Sequence, residues 1–348
     1  MNQSFSNLLI NWYNQHQRDL PWRDTSDPYR IWLSEIILQQ TRVDQGLPYY
    51  NKFINQYPSV HELAKAPEDE VMRLWQGLGY YSRARNLHEC AKSIVNQYDG
   101  EFPDTYEELL KLKGIGKYTA AAIASFAFDR AVPVVDGNVF RVLARYLDIS
   151  DDISQPKTFK TFFNVAKQLI PENQAASFNQ ALMELGATIC TPRKFKCENC
   201  PLSLDCQARI HHKQSELPVK KKKIKIRHRF LYYLIWKEGD KLAMKKRGPN
   251  DIWQGLFDFD LIETNHPLTI EEIYEKVNKQ YSNVELVEIS EPVKHILSHQ
   301  RLQAVFVELQ SKNENVLSDH SLKYFTKQEV EELPKPRLIE NYLTSKDF

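Results

Sequence analysis

Four cysteines, Cys190, Cys197, Cys200 and Cys206, are separated by six, two and five residues near the middle of the chain. That density is too tight for a disulfide scaffold in 348 residues. It suits four thiolates converging on one metal centre, either zinc or an iron–sulfur cluster. The knot is small and Pro192 and Pro201 stiffen it, so a metal there would staple a loop and leave the chemistry to other residues. Two carboxylates qualify. On a helix, Glu35 has Ile31, Trp32, Leu38 and Gln39 as its neighbours three and four positions away. Burial on so apolar a face would raise its pKa and leave it partly protonated near neutrality. Asp136, in Val-Val-Asp-Gly-Asn-Val, opens a helix, where N-capping is its ordinary role. The same position holds a carboxylate ionised, by the helix dipole and by N–H donors, and able to stabilise a developing cation. An acid and an ionised stabiliser with separated pKa values are what cleavage of a glycosidic bond calls for.

The stretch Leu112-Lys113-Gly114-Ile115-Gly116-Lys117-Tyr118-Thr119-Ala120 places two glycines between helical segments. Such a turn is often a plain connection, but its free N–H groups at the next helix start can also hold a phosphate. Apolar residues recur at three and four spacing through residues 1–210, as in Leu8, Leu9 and Trp12 or Leu74, Trp75 and Leu78, with breaks at prolines. Residues 132–135 look strand-like but are too short to demand a sheet. Composition shifts at Pro218 into a basic run over 220–229, a solvated linker by composition and able to lie along a phosphate backbone. Beyond it the apolar period becomes two. Segments 230–236 and 241–246 flank a Glu-Gly-Asp turn as a hairpin, and 301–310 alternates likewise. Helical patterns return over 269–281 and 327–332. The chain therefore divides into a mainly α-helical domain, 1–217, a basic linker, 218–228, and an α+β domain, 229–348.

Composition sets the outer bounds. Forty-two per cent apolar and 26% charged residues describe an ordinary globular protein. A net charge of +1 neither favours nor excludes a polyanion partner, so that case rests on local features. No apolar run approaches a membrane span, and the first residues lack a signal-peptide pattern. Clustered thiols suit a reducing interior, and a bacterial cytoplasm is expected. Cys90, in a helical pattern with Ala91 and Ile94, reads as a core residue.

Leu-Lys-Gly-Ile-Gly-Lys-Tyr-Thr-Ala, Val-Asp-Gly-Asn-Val, the cysteine cluster and Ser-Glu-x-x-Leu-Gln-Gln-Thr occur together. In this the chain resembles the helix-hairpin-helix DNA glycosylases with an iron–sulfur cluster, and over nearly its whole length the adenine DNA glycosylase (MutY) family. The resemblance implies one 4Fe–4S cluster on Cys190, Cys197, Cys200 and Cys206, and a hairpin gripping the DNA backbone with Gly114, Gly116 and Thr119. It implies that Glu35 protonates a flipped adenine, that Asp136 stabilises the oxocarbenium-like sugar, and that Tyr118 and Asn138 position these groups and the water. Trp22, Arg23, Leu38 and Gln180 would line the adenine pocket, with Gln180 where some members have Glu. Gln40 and Tyr80 would wedge the duplex. Related strand-cutting enzymes carry a lysine where Tyr118 stands, so base removal without efficient strand cleavage is expected. The C-terminal domain resembles the MutT-type (Nudix) fold but has no Arg-Glu-x-x-Glu-Glu and has Leu261 six residues after Gly255, so it should not hydrolyse nucleotides. Its implied role is reading 8-oxoguanine through Leu297, Ser298 and His299, with Leu297 in place of the family's Phe. The implied substrate is double-stranded DNA with adenine opposite 8-oxoguanine or guanine, and the implied state is a monomer.

Overall fold

The computed structural model describes residues 2–221, 225–281, 283–311 and 321–348. Its chain falls into two compact units, Met1–Lys65 with Asn86–Lys222, and Ala66–Arg85 with Lys223–Phe348. The second grouping departs from the expected division at residue 217, because 66–85 joins the C-terminal unit. Polar side chains on that segment explain its place. Arg73 pairs with Glu332 and donates to the Glu331 carbonyl. The Gln76 amide donates to Glu340 at 2.9 Å and accepts the Lys335 N–H at 2.9 Å. Asp69 takes Lys246 at 2.6 Å. Apolar spacing names a helix but not the core it joins.

The first unit is helical. Asn2–His16, Gly137–Tyr146, Pro156–Leu169 and Ala175–Thr188 bury a shared core of Phe5, Leu9, Val139, Leu143, Phe162, Phe178 and Leu182. Two further helices complete the site. Asp27 caps Pro28–Leu38 by accepting the Tyr29 N–H, and Pro28 presets its first turn. Lys117–Phe128 starts at Gly116 without a side-chain cap. Residues 132–135 form no strand. Asn179, fully buried, accepts the Val134 N–H and donates to Ser125 and to the Val132 carbonyl, supplying what a strand partner would. Cys90 is buried as read, its thiol pushed up to about 12 by desolvation. Among the described residues no helix is long and apolar enough to cross a membrane.

The second unit carries a mixed sheet of β1 (Arg227–Glu238), β2 (Lys241–Lys246), β3 (Phe257–Asp258), β4 (Asp260–Thr264), β5 (Val284–Ile289), β6 (Val293–Ile296), β7 (Gln300–Ser311) and β8 (Lys323–Thr326). Its main path runs β3-β2-β1-β7-β5. The β1–β2 hairpin closes at the Glu-Gly-Asp turn, with Glu238 opposite Lys241. β1 also pairs in parallel with β7, and both central strands are buried on two faces. The alternation expected for 301–310 therefore gives way to a continuous buried run. Helices Ile270–Gln280 and Lys327–Glu332 lie where the pattern put them, both closed by capping boxes.

The basic run is only partly a linker. Lys222, Lys223 and Ile224 lie outside the described residues, and Arg227 already pairs in β1. Arg229 is 2% exposed and holds Asp251 at 2.6 and 2.8 Å and Glu263 at 2.7 and 2.5 Å. It is spent on its own fold and has no reach to a phosphate. Replacing it leaves Asp251 to Arg247 alone and Glu263 to the exposed Arg227 alone. Arg229→Ala should cost about 3 kcal/mol in equilibrium denaturation, with a salt-binding slope for DNA unchanged from the parent.

Candidate active site

One cavity of about 390 Å³ in the first unit is lined by Trp22, Arg23, Glu35, Leu38, Tyr118, Asp136, Asn138 and Gln180. These are the expected catalytic and base-pocket residues, drawn from four helices and the loop before the first of them. Glu35 is 7% exposed, and the Tyr118 hydroxyl donates to its Oε2 at 2.5 Å. Desolvation raises Glu35 to about 7, against the Tyr118 hydrogen bond and with the charge of Asp136 adding to the rise. The phenol of Tyr118 is itself driven well up by burial and by both carboxylates, so it stays a donor.

Asp136 caps the Gly137–Tyr146 helix. Its Oδ1 accepts the N–H groups of Asn138 and Val139 at 2.8 Å each, and its Oδ2 accepts the Asn138 amide at 2.7 Å. The sequence predicted a carboxyl held ionised by these donors. In the structure burial raises it above its ordinary value, while the three hydrogen bonds and Arg141 oppose that rise. Both carboxyls therefore move upward, and their separation comes from unequal donor sets.

Arg141, four residues along the same helix from Gly137, fixes Asn138. Its guanidinium donates to Asn138 Oδ1 at 2.7 Å, to the Gly186 carbonyl at 2.6 Å and to the Cys190 carbonyl at 2.6 Å. A Cβ at Gly186 would meet the Cβ of Asn138 at 2.6 Å, so only glycine admits this approach. Arg145, one turn further, donates to Cys190 Sγ at 3.3 Å and to the Thr191 carbonyl at 2.9 Å. Cys190, Cys197, Cys200 and Cys206 together line a small cavity. Among the described residues no three His, Cys, Asp or Glu side chains stand close enough to hold a single ion. Four thiols lining one space are the donor type that an iron–sulfur cluster takes.

Glu184 was not picked out by the sequence. It is 1% exposed, lies one turn past Gln180 in the cavity wall, and holds Arg18 at 2.7 and 2.8 Å and Arg23 at 2.6 Å. Burial raises its carboxyl, but the two arginines prevail and hold it below the ordinary range. Arg23 is thus a braced wall residue, and Gln180 is braced too, by the Tyr13 hydroxyl at 2.5 Å. The i, i+4 spacing from Gln180 was the available signal.

The remaining expected residues fall elsewhere. Gly114 has φ +80° and packs so close to Asn86 that a Cβ would sit 2.6 Å from its Cβ. Gly116 is exposed before a helix start flanked by exposed Lys113 and Lys117. Thr119 corrects the reading of the hairpin. It is 1% exposed and its hydroxyl accepts the Gln39 amide at 3.2 Å, so its side chain is turned inward and only its backbone can face a phosphate. No lysine lines the catalytic cavity among the described residues. Lys117 lies with its Nζ 5.2 Å from the Phe159 ring. Gln40 and Tyr80 are exposed with left-handed backbones, φ 57° and 49°. In the second unit, the Tyr80 hydroxyl is hydrogen-bonded to Ser298 Oγ. His299 is exposed and Leu297 half-buried.

A family model described as HhH-GPD superfamily base excision DNA repair protein matches residues 33–168, and a NUDIX domain model matches residues 231–345. The chain is 33% identical over 340 residues to the adenine DNA glycosylase of Buchnera aphidicola subsp. Acyrthosiphon pisum (strain APS), covering 97% of this chain and 96% of that one. It is 44% identical over 223 residues to that of Homo sapiens, covering 62% and 41%. A solved thermostable thymine-DNA glycosylase shares its fold at a TM-score of 0.56 and 33% identity, over 60% of this chain and 97% of that one. Fold and site thus define a base-excision DNA N-glycosylase with a NUDIX domain attached. Given its likeness over almost the full length, the chain belongs to the adenine DNA glycosylase family.

Two outcomes follow. A raised acid works while protonated, so the rate should fall about tenfold per pH unit above the Glu35 value of about 7. Toward acid it should fall as Asp136 protonates, and Glu35→Gln should abolish the alkaline limb with the activity. Single-turnover rates across pH check this. Glu184→Gln leaves the two guanidinium groups unpaired and should cost about 1–3 kcal/mol in denaturant unfolding, with slowed excision at saturating DNA.

Proposed function

We propose that the enzyme excises adenine placed opposite 8-oxoguanine, and more slowly opposite guanine, leaving an abasic site without efficient strand cleavage. One observation carries the reading: a buried, Tyr118-bonded Glu35 near neutrality shares a cavity with a capped Asp136. In this reading duplex DNA gives up the base into the cavity, at a cost of a few kcal/mol. Protonated Glu35 gives its proton to a ring nitrogen of adenine. The C1′–N9 bond breaks, and its electron pair leaves with the base. The Asp136 carboxylate stabilises the cationic sugar, and Asn138, locked by Arg141, holds that carboxylate in place. Water then adds to C1′ and its proton returns to Glu35. Trp22, Leu38, Arg23 and Gln180 bound the base. Among the described residues no lysine lines the cavity, and Tyr118 stands in its wall, which favours hydrolysis over Schiff-base strand cleavage.

The four thiols would hold one 4Fe–4S cluster. Bound there, it cross-links the loop that Arg141 and Arg145 already grip and contributes no reacting atom. The hairpin at Gly114 and Gly116 would take a phosphate on the backbone N–H groups beginning the Lys117–Phe128 helix. Recognition of 8-oxoguanine is assigned to Ser298, His299 and Leu297, and wedging to Tyr80 and Gln40. The bond between Tyr80 and Ser298 supports treating wedge and reader as one apparatus.

The test is a single-turnover assay on duplexes with adenine opposite 8-oxoguanine, guanine or thymine, split into halves with and without hot alkali. Strand breaks confined to the alkali-treated halves, fastest opposite 8-oxoguanine, are expected. Breaks without alkali would show lyase chemistry instead. Equal rates opposite all three bases would remove the 8-oxoguanine assignment.

A further inference from the structure

We propose that Tyr13 is a positioning residue: its hydroxyl draws back the oxygen of the Gln180 amide, so that the amide nitrogen meets the excised base and donates to one of its ring nitrogens. The inference deepens the reading of the cavity as a base pocket and rests on it. Tyr13 stands on the Asn2–His16 helix and is 4% exposed, while Gln180 stands on Ala175–Thr188 and lines the cavity. The hydroxyl reaches Gln180 Oε1 at 2.5 Å from behind that wall.

An amide can face a hydroxyl with either end, and the surroundings of Tyr13 decide which. Burial raises the phenol above its ordinary value, so it keeps its proton and needs an acceptor. Arg23 lies over the Tyr13 ring, its Cζ 5.6 Å from the centroid, and offers donors alone. Arg18, whose charge also reaches the phenol, does the same. The carboxylate of Glu184 is turned to both guanidinium groups. Gln180 Oε1 is the acceptor that the hydroxyl uses. Turning the amide over would strand the phenolic proton in the interior, at the cost of a buried donor without a partner.

This leaves Nε2 for the base. It has no protein partner among the described residues and is not sealed off, so it opens on the cavity. An N–H donor there can pair with N1, N3 or N7 of adenine, and it can accept nothing from the exocyclic amino group. As the C1′–N9 bond breaks, electron density collects on the base. A donor fixed in advance on a ring nitrogen holds that state more tightly than the ground state. Tyr13 thus acts on the rate through Gln180 without touching the base.

The experiment measures single-turnover excision at saturating DNA by the full-length, cluster-loaded enzyme. The parent, Tyr13→Phe, Gln180→Ala and the double variant are compared on duplexes carrying adenine or unsubstituted purine, each opposite 8-oxoguanine. Tyr13→Phe keeps the ring under Arg23 and removes the hydroxyl alone, and thermal unfolding is followed alongside. Gln180→Ala should slow excision roughly tenfold, about the worth of one hydrogen bond, and by the same factor on both bases. Tyr13→Phe should slow it about threefold, and the double variant should be no slower than Gln180→Ala, because the hydroxyl acts only through the amide. A parental rate in Tyr13→Phe, or losses that multiply in the double variant, would overturn the positioning role. Slowing by Gln180→Ala confined to adenine would place Oε1 against the exocyclic amino group and overturn the assignment of the nitrogen. That comparison stands even where Tyr13→Phe does not fold. Gln180→Ala at the parental rate on both bases would instead sink the base-pocket reading.

Discussion

The guanidinium of Arg141 is the joint on which the catalytic unit turns. One planar fork reaches the Gly137 carbonyl, the Asn138 amide oxygen, the Gly186 carbonyl and the Cys190 carbonyl. These groups come from the start of one helix, the end of another and the first residue of the thiol loop. An amide oriented by the fork then points its nitrogen at Asp136. The Asp136 carboxylate is thereby tied through three hydrogen bonds, by way of Asn138 and Arg141, to the first of the four cysteines. Burial disfavours the Arg141 charge, and Cys190 and Asp136 help sustain it. A lysine there could satisfy one acceptor at a time and would leave the others bare. The four-cysteine loop bears on this arrangement because its first residue is one of the walls against which the fork is braced.

The same unit gives two carboxyls different surroundings, in donor count as well as in depth. Glu35 and Asp136 are both desolvated, and desolvation alone would protonate both. Asp136 receives three hydrogen bonds, two from backbone N–H groups at a helix start, while Glu35 receives one from a phenol that cannot easily lose its proton. Each donor favours the charged form it touches. Three donors at a half-buried site, against one at a buried site, favour the charged form of Asp136 more than that of Glu35.

Legibility in the sequence followed distance along the chain. The apolar face around Glu35 and the cap at Asp136 are local patterns, so both could be read, as could the thiol spacing and the β1–β2 turn. Glu184 could not, because its partners Arg18 and Arg23 lie 166 and 161 residues before it. Asn179 looked like any helix residue, yet its amide replaces a strand partner for residues 132–134. Arg229 was averaged into a basic run, although its β-strand position turns it inward onto Asp251 and Glu263. Thr119 was read by its place in a motif, and the helix phase buries it. In each case the pattern gave the element and missed the long-range polar partner.

The grouping of residues 66–85 with the C-terminal unit has a consequence for specificity. Tyr80 sits in that segment on a strained φ of 49°, after Gly79 at 72°, and its hydroxyl is held by Ser298. Arg83 stacks over both Trp75 and Tyr80 and donates to the Leu78 and Gly79 carbonyls, holding the loop in a shape that its residues would not adopt alone. Tyr80 and Ser298 are thus parts of one body, and Gln40, Glu35 and Asp136 are parts of the other. A mispair has two bases to be inspected, one to be removed and one to be recognised. With Leu297 and Glu35 in separate units, a substitution at 297 leaves the donor sets around Glu35 and Asp136 undisturbed.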